Sequence, residues 1–117
     1  MTQINLFRHD RDAYDAAPAT TLFAEGEAGD AMFAVVEGTV EVRVGDRVVE
    51  VVGAGGIVGE MALIDARPRS GSAVVVEPAR IVRVDEKHFT FLVQEHPTFA
   101  LLVMRIMADR LRRANES

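Results

Sequence analysis

Short apolar runs separated by glycine-containing turns dominate the middle of the chain. Over residues 40–44 valine alternates with charged residues, which is the period of a strand with one buried face. Gly45-Asp46 predicts a tight turn into a second strand over residues 47–52. Residues 74–84 predict a further hairpin whose turn lies at Glu77-Pro78. Short strands with turns at this spacing are typical of a small barrel or jelly roll.

The two ends of the chain carry helical patterns instead. Near the N-terminus, residues 8–17 predict a short helix that the following proline breaks. Near the C-terminus, residues 86–95 predict a helix for which Asp85 is the expected N-cap. A second helix is predicted over residues 98–115, and Pro97 either ends the first helix or opens the second.

The second helix is apolar on nearly all sides, because Arg105 is the one charged residue between Phe99 and Ala108. A helix of this kind needs cover on more than one face. We expect one stripe to pack on the barrel. We expect the other to meet its twin in a homodimer through residues 98–115, or to cover a bound ligand. The first stripe contains Phe99, Leu102, Val103, Ile106 and Arg110, and the second contains Leu101, Met104, Ala108 and Leu111.

The composition fits one globular domain. With 49% hydrophobic residues among 117, the chain can build a modest core, which we divide into residues 1–19, 20–84 and 85–117. A net charge of −5 disfavours a nucleic-acid surface, and the absence of cysteine excludes disulfides and thiolate metal sites. The N-terminus is polar and no apolar run is long enough to span a membrane. We therefore expect a cytoplasmic protein without a membrane partner.

The stretch over residues 53–73 carries the candidate chemistry. Clustered glycines let the backbone approach a ligand, and a helix beginning at Glu60 would turn free amides toward an anion. Arg69, placed after Pro68, can direct two hydrogen bonds onto a phosphate. Glu60 would be repelled by that phosphate and suits a neutral hydroxyl, such as a ribose 2′-OH. The stretch therefore indicates a ligand that combines a hydroxylated ring with a phosphate.

Other site types fit less well. The third glycine is misplaced for a dinucleotide fingerprint, and no Gly-Lys-Ser/Thr follows as a P-loop requires. A jelly roll can be a cupin metalloenzyme, but His9, His88 and His96 all lie outside the predicted strands, which disfavours a metal site. Hydrolysis would need a second carboxylate, a nucleophile or a base beside Glu60 and Arg69, and the sequence offers none nearby.

The segment GEMALI followed by PRSGSA, with nine positions from Glu60 to Arg69, resembles the phosphate-binding cassette of cyclic-nucleotide-binding domains. That family occurs in catabolite-activator-type bacterial regulators, in regulatory subunits of cAMP-dependent kinase and in gated channels. The resemblance covers roughly residues 20–115, since residues 23–30 and 32–42 look like the family's first barrel strands. It implies a mainly β fold, a double-stranded β-helix (jelly-roll) barrel with flanking C-terminal α-helices. It also implies cAMP or cGMP as the ligand, no metal and no catalysed reaction.

The resemblance assigns roles to matching positions. Glu60 would hold the ribose 2′-hydroxyl and Arg69 the cyclic phosphate. Backbone amides near Met61, Ala62 and Ser70 would complete the phosphate pocket, and the C-terminal helix would contact the base. The hydroxyl of Ser70 could form a hydrogen bond with the phosphate or with a guanine. Because threonine at this position would indicate guanine more strongly, serine slightly favours cAMP. The candidate ligand-binding residues are Gly59, Glu60, Met61, Ala62, Arg69, Ser70, Ser72, Arg110 and Asn115.

These patterns lead to one main function and two alternatives. We expect a sensor domain that binds cAMP or cGMP and relays occupancy through its C-terminal helix to an effector protein of unknown identity. The chain ends just after that helix, so we expect no helix-turn-helix and no direct nucleic-acid contact, in a stand-alone sensor or part of a longer protein. The first alternative is a degenerate structural or dimerisation module that keeps the fold without binding nucleotide. The second, weaker alternative is a cupin-type enzyme.

Overall fold

Six strands precede two helices in the computed structural model, which describes residues 2–116. The strands are β1 (Tyr14–Ala16), β2 (Thr21–Phe23), β3 (Ala31–Val44), β4 (Arg47–Val52), β5 (Ile57–Val58) and β6 (Ser72–Asp85). A single turn of 3-10 helix covers Glu60–Leu63, and the two α-helices are α1 (Glu86–Glu95) and α2 (Pro97–Glu116). The fold is mainly β with two C-terminal helices, as the sequence predicts.

The strands form one antiparallel sheet built on the long pair β3 and β6. The order is β1-β6-β3-β4, with β2 on β6 and β5 on β3. The β3–β6 pairing runs from Ala31 opposite Asp85 to Arg43 opposite Ser72, with three register shifts between Val35 and Val40. Gly38 lies within these shifts at φ +91°, and its backbone approaches the carbonyl of Pro78. Bulges of this kind bend paired strands and increase their twist.

The core lies on both sides of this sheet, because apolar residues occupy consecutive positions in β3. Phe33 and Val35 point into the roll, where they join a cluster that includes Phe23, Val58 and Ile81. Their neighbours in β3 and β6 point the other way, toward the helices. That second cluster contains Met32, Ala34, Ile57, Val82, Val84, Leu92, Phe99, Val103 and Ile106, together with Ile4 and Phe7.

Local sequence signals set the two helices. The carboxylate of Asp85 accepts a hydrogen bond from the amide of His88 at 2.8 Å, so the predicted N-cap is confirmed. Pro97 opens α2, a position where its missing N–H costs no helical hydrogen bond. Phe99 is buried against Phe89, with ring centroids 5.4 Å apart, and against Phe7 at 5.8 Å. This packing fixes the first half of α2 on the sheet.

Two local predictions are wrong. Residues 8–17 form turns and then strand β1 rather than a helix. The open edge of β6 offers backbone partners, and Ala16 becomes buried there, whereas a short polar helix gains little. The predicted hairpin at Glu77-Pro78 is also absent, because β6 continues unbroken through both residues. The proline falls at the register shifts opposite Gly38, where a strand tolerates a residue without an N–H.

Candidate functional site

A cavity of about 430 Å³ opens between the 3-10 helix, β3, β4 and α2. One part of its wall is apolar and contains Phe23, Val42, Val44, Val49 and Val58. The rest of the wall carries both positively and negatively charged side chains. An apolar wall combined with a few charged groups is typical of small-molecule sites, which bury a ring and orient polar groups. Its polar and charged lining residues include Glu50, Glu60, Arg69, Ser70 and Arg110.

Arg69 reaches this cavity from a loop that two backbone hydrogen bonds fix. Its amide donates to the carbonyl of Glu27 at 2.8 Å, and its carbonyl accepts from the amide of Gly26 at 2.8 Å. The guanidinium lies 4.0 Å from the centroid of the Phe23 ring and donates to the carbonyls of Gly59 at 3.0 Å and Ala31 at 2.6 Å. Within residues 2–116, the buried Nε of Arg69 meets no acceptor.

Two glycines leave the space that the Arg69 side chain fills. A Cβ on Gly29 would lie 2.7 Å from Nε of Arg69, and one on Gly59 would lie 2.5 Å from its Nη1. Gly59 also has φ +75°, which favours glycine. Burial lowers the pKa of Arg69, although nearby Asp30, Glu27 and Glu60 oppose that shift. An arginine stays protonated under such a shift, so the loop presents a partly buried cation whose Nε–H donor is unused.

Glu60 is the one buried charged residue in the described core, with 5% of its surface exposed. It begins the 3-10 helix and accepts a hydrogen bond from Nη1 of Arg110, which projects from α2. Arg110 also donates to the carbonyl of Ile57. Burial acts to lower the pKa of Arg110, but hydrogen bonds and charges from Glu50 and Glu60 outweigh it, so the pKa is raised. The negative charge of the Glu60 carboxylate in the cavity is therefore balanced by the positive charge of Arg110.

Glu50 of β4 is the cavity residue that the sequence reasoning missed. Its carboxylate receives Nε of Arg110 at 2.8 Å and Nη2 at 3.1 Å, and it forms an ion pair with Arg113 at 3.5 Å. The expectation that no second carboxylate lies near Glu60 is therefore wrong, since one arginine joins both. A charged residue among the valines of residues 47–52 was an available signal. However, the face of the strand on which this residue lies depends on the strand-pairing register, which the sequence pattern does not reveal.

The structure brings together most of the predicted residues. Gly59, Glu60, Met61, Ala62, Arg69, Ser70 and Arg110 line the cavity. The amide of Ala62 is engaged, since it donates to the carbonyl of Gly59 at 3.2 Å. Ser72 and Asn115 lie outside the cavity lining, and the hydroxyl of Ser72 instead accepts a hydrogen bond from the amide of Glu25 at 2.9 Å. Asn115 is exposed near the end of α2.

The histidines lie away from the roll interior. His9 is in a turn, His88 in α1 and His96 between the two helices. No group of three or more histidine or carboxylate side chains within residues 2–116 is placed to hold a metal ion. In the same part of the chain, no helix is both long and apolar enough to cross a membrane.

Known proteins share this fold. The chain is 30% identical over 104 residues to the CRP-like cAMP-activated global transcriptional regulator of Mycobacterium tuberculosis, covering 83% of this chain and 46% of that protein. The Thermus thermophilus catabolite activator protein aligns with a TM-score of 0.77 at 29% identity, covering 88% of this chain and 51% of that chain. EAL enzyme Bd1971 aligns in its cAMP-bound form (TM-score 0.64, 33% identity, 88% of this chain) and its cGMP-bound form (0.65, 30%, 89%), in each case over 29% of the enzyme.

These similarities confirm the predicted jelly-roll fold. The chain spans about half the length of the two regulators and less of the enzyme. The model of the cyclic nucleotide-binding domain, a regulatory rather than a catalytic domain, matches residues 15–96, which is more than half of the chain. By this match the chain belongs to the cyclic nucleotide-binding domain family.

Proposed function

We propose that the cavity binds cAMP or cGMP and that α2 relays its occupancy to a partner protein. The observation that carries the proposal is the convergence of Arg69, Glu60 and Arg110 on one cavity with an apolar wall. The three residues come from a loop, the 3-10 helix and α2, so a single ligand can engage all three elements. The proposal involves binding alone and no chemical step.

The phosphate would bind beside Arg69. The guanidinium uses one N–H at each terminal nitrogen for a backbone carbonyl, and Nε remains without an acceptor in the described chain. A phosphate oxygen would supply a missing acceptor and a full negative charge, and such charge-assisted bonds are the stronger ones. Ser70, which lines the same part of the cavity, can add its hydroxyl.

The ribose would bind at Glu60. Its carboxylate has lone pairs beyond those that Arg110 uses, so it can accept a hydrogen bond from a 2′-hydroxyl. That bond would change the balance of contacts that Arg110 makes with its two carboxylates. Because Arg110 belongs to α2, the same change would bias the position of the helix, which is what a ligand-driven shift between states requires.

One observation favours the alternative of a module that no longer binds nucleotide. Both charged groups assigned to the ligand already have partners within the chain, Glu60 with Arg110 and Arg69 with two backbone carbonyls. If those contacts are permanent, the network serves to fix α2 on the roll. A ligand must then compete with them, and binding would be weak or absent.

Isothermal calorimetry with cAMP and cGMP, each titrated into the purified protein, separates the two functions. The sensor proposal expects saturable binding of at least one nucleotide with one site per chain. Inorganic phosphate and 5′-AMP serve as controls, because neither presents a cyclic phosphodiester joined to a ribose 2′-hydroxyl. The absence of heat with both cyclic nucleotides, from protein that unfolds cooperatively, would favour the structural module.

A further inference from the structure

Glu50 occupies an unusual place for a carboxylate. It lies on β4 directly opposite Val42 of β3, on the side of the strand that also buries Val52. Its side chain is 22% exposed, and it faces the cavity beside apolar residues. A carboxylate brought into such surroundings costs free energy unless charged or hydrogen-bonding partners compensate. Arg110 and Arg113 supply that compensation.

The charges along the cavity wall follow a fixed order. Glu60 shares Arg110 with Glu50, and Glu60 also lies close enough to Arg69 to act on its charge. Along the cavity wall the charged residues therefore follow the spatial order Arg69, Glu60, Arg110 and Glu50, and their charges alternate in sign. With phosphate assigned to Arg69 and ribose to Glu60, the base would extend toward Arg110 and Glu50. The remaining ionic pair on the wall, Asp65 with Arg67, is solvent-exposed, since the Arg67 side chain is 85% exposed.

We propose that Glu50 is a specificity-determining residue that, together with Arg110, selects guanine over adenine as the base. This inference rests on the proposed function, because it concerns the same cavity. It names cGMP as the preferred ligand and reverses the slight lean toward cAMP that Ser70 alone gives.

Hydrogen-bonding chemistry carries the choice of base. An ionised carboxylate accepts hydrogen bonds and donates none. Guanine presents two adjacent donors, N1–H and the N2 amino group, which match the two oxygens of the Glu50 carboxylate if they replace the two hydrogen bonds from Arg110. The guanidinium of Arg110 released in this way can donate to O6 of the same base. Adenine presents a single amino donor next to N1, whose lone pair would face a carboxylate oxygen unfavourably. A site built around hydrogen-bonding groups discriminates strongly against the base that leaves them unpaired.

The competing interpretation is that Glu50 only holds α2 in place through Arg110 and Arg113. That role would affect every nucleotide by the same factor, because it does not involve the base. The ratio of affinities for different bases therefore distinguishes the two interpretations, whereas a single affinity does not.

The experiment titrates the protein with cGMP, with cyclic inosine monophosphate, which lacks the N2 amino group, and with cAMP. In the unaltered protein we expect cGMP to bind about tenfold more tightly than either of the others, the loss expected for about one charge-assisted hydrogen bond. In Glu50→Gln the advantage of cGMP over the inosine nucleotide should disappear. The ratio of cGMP to cAMP affinity should fall at least tenfold, because a glutamine amide pairs well with adenine.

Two further variants control the measurement. Glu37→Gln removes one negative charge from β3 outside this cavity and should leave both ratios unchanged. Glu50→Asp keeps the charge but withdraws it by one methylene, and should reduce the cGMP advantage only in part. Melting curves for each variant report whether it folds.

Three outcomes have separate meanings. Equal affinities for cGMP and the inosine nucleotide in the unaltered protein would overturn the assignment of Glu50 without needing any variant. A Glu50→Gln protein in which all affinities move by one common factor would also overturn it and would leave a role in holding α2. Failure of the unaltered protein to bind any of the three nucleotides would overturn the proposed function itself.

Discussion

At the scale of single residues, Arg69 serves the fold and the proposed site together. Its guanidinium packs on Phe23 and bonds to two backbone carbonyls, so it fixes the loop before any ligand arrives. Loss of the cation–π contact and the two hydrogen bonds should lower the free energy of unfolding by about 1–2 kcal/mol.

The first prediction concerns this residue as a phosphate ligand. Arg69→Leu should weaken cyclic-nucleotide binding by about 2–4 kcal/mol, which is roughly 30- to 1,000-fold, because the phosphate loses a charge-assisted partner. Calorimetry measures the affinity, and urea unfolding measures the stability separately. Arg112→Leu is the matched control, since Arg112 is exposed, pairs with Asp109 and lies outside the cavity lining. Equal losses in both variants would point to a general effect of net charge.

The second prediction concerns Glu60 as the ribose ligand. Glu60→Gln keeps the shape of the side chain and one acceptor oxygen, so it should cost less than the Arg69 change, about 1–3 kcal/mol of binding free energy. The loss should largely vanish for the 2′-deoxy cyclic nucleotide, which lacks the hydroxyl in question. If both ligands lose affinity equally, Glu60 acts by holding Arg110 and not by contacting the ribose.

The cassette residues could be foreseen from the sequence, and Glu50 could not, for a physical reason. Glu60 and Arg69 lie in a short segment whose spacing fixes their relation. Glu50 reaches the cavity only through strand pairing, and a register shift lies between Val42 and Arg43 of the partner strand. A shift of one residue would turn Glu50 to the other face. Its partner Arg110 lies sixty positions further along the chain, so local patterns carry no information on the contact.

At the scale of the elements, the features that local sequence patterns failed to predict are those that depend on long-range strand pairing. The alternation in residues 40–44, the turn at Gly45-Asp46 and both helices were predicted because each depends on neighbours in sequence. The continuity of β6 through Glu77-Pro78 depends instead on β3, whose bulges and Gly38 accommodate the proline. The N-terminal strand β1 likewise forms because β6 has an open edge.

The third prediction tests the bend in β3. A Cβ on Gly38 would lie 2.6 Å from Cα of Ala79, and the residue also has φ +91°. Gly38→Ala should therefore lower the free energy of unfolding by about 3 kcal/mol, from backbone strain together with the clash. Gly45→Ala is a suitable control, because Gly45 has φ +60° but an added Cβ there would meet open space in the described chain. It should cost only about 1 kcal/mol in the same urea titration.

The fourth prediction concerns α2 as the relay element. Its first half is anchored by buried Phe99, Val103 and Ile106, whereas its second half is attached through Arg110 and Arg113 to Glu50 and Glu60. If nucleotide redistributes these ionic contacts, hydrogen exchange should change after Ile106 and stay constant before it. Unchanged exchange along the whole helix at saturating ligand would exclude a relay through α2.

At the scale of the whole molecule, α2 carries apolar residues on two different faces. The stripe with Phe99, Val103 and Ile106 packs on the domain, and Arg110 from the same stripe faces the cavity. The second stripe remains accessible to solvent: Leu101 is 47% exposed, Met104 53% and Leu111 64%. A ligand in the cavity would meet the first stripe, so any cover for the second would come from outside the residues that the structure describes.

The last prediction is that this stripe joins two copies of the chain. Positions 101, 104, 108 and 111 of this stripe recur every three or four residues, which is the spacing of a continuous helical face, and two such faces can pack around a twofold axis. Sedimentation velocity should therefore show a dimer, and Met104→Glu should give a monomer because it would place two carboxylates at the shared face. Since Met104 lies outside the cavity lining, the variant should still bind nucleotide. Arg105→Glu, which changes charge at the neighbouring exposed position, should remain dimeric if the apolar stripe provides the contact. A protein that sediments as a monomer at all accessible concentrations, with and without nucleotide, would leave the stripe to a different partner and would remove the homodimer from the mechanism.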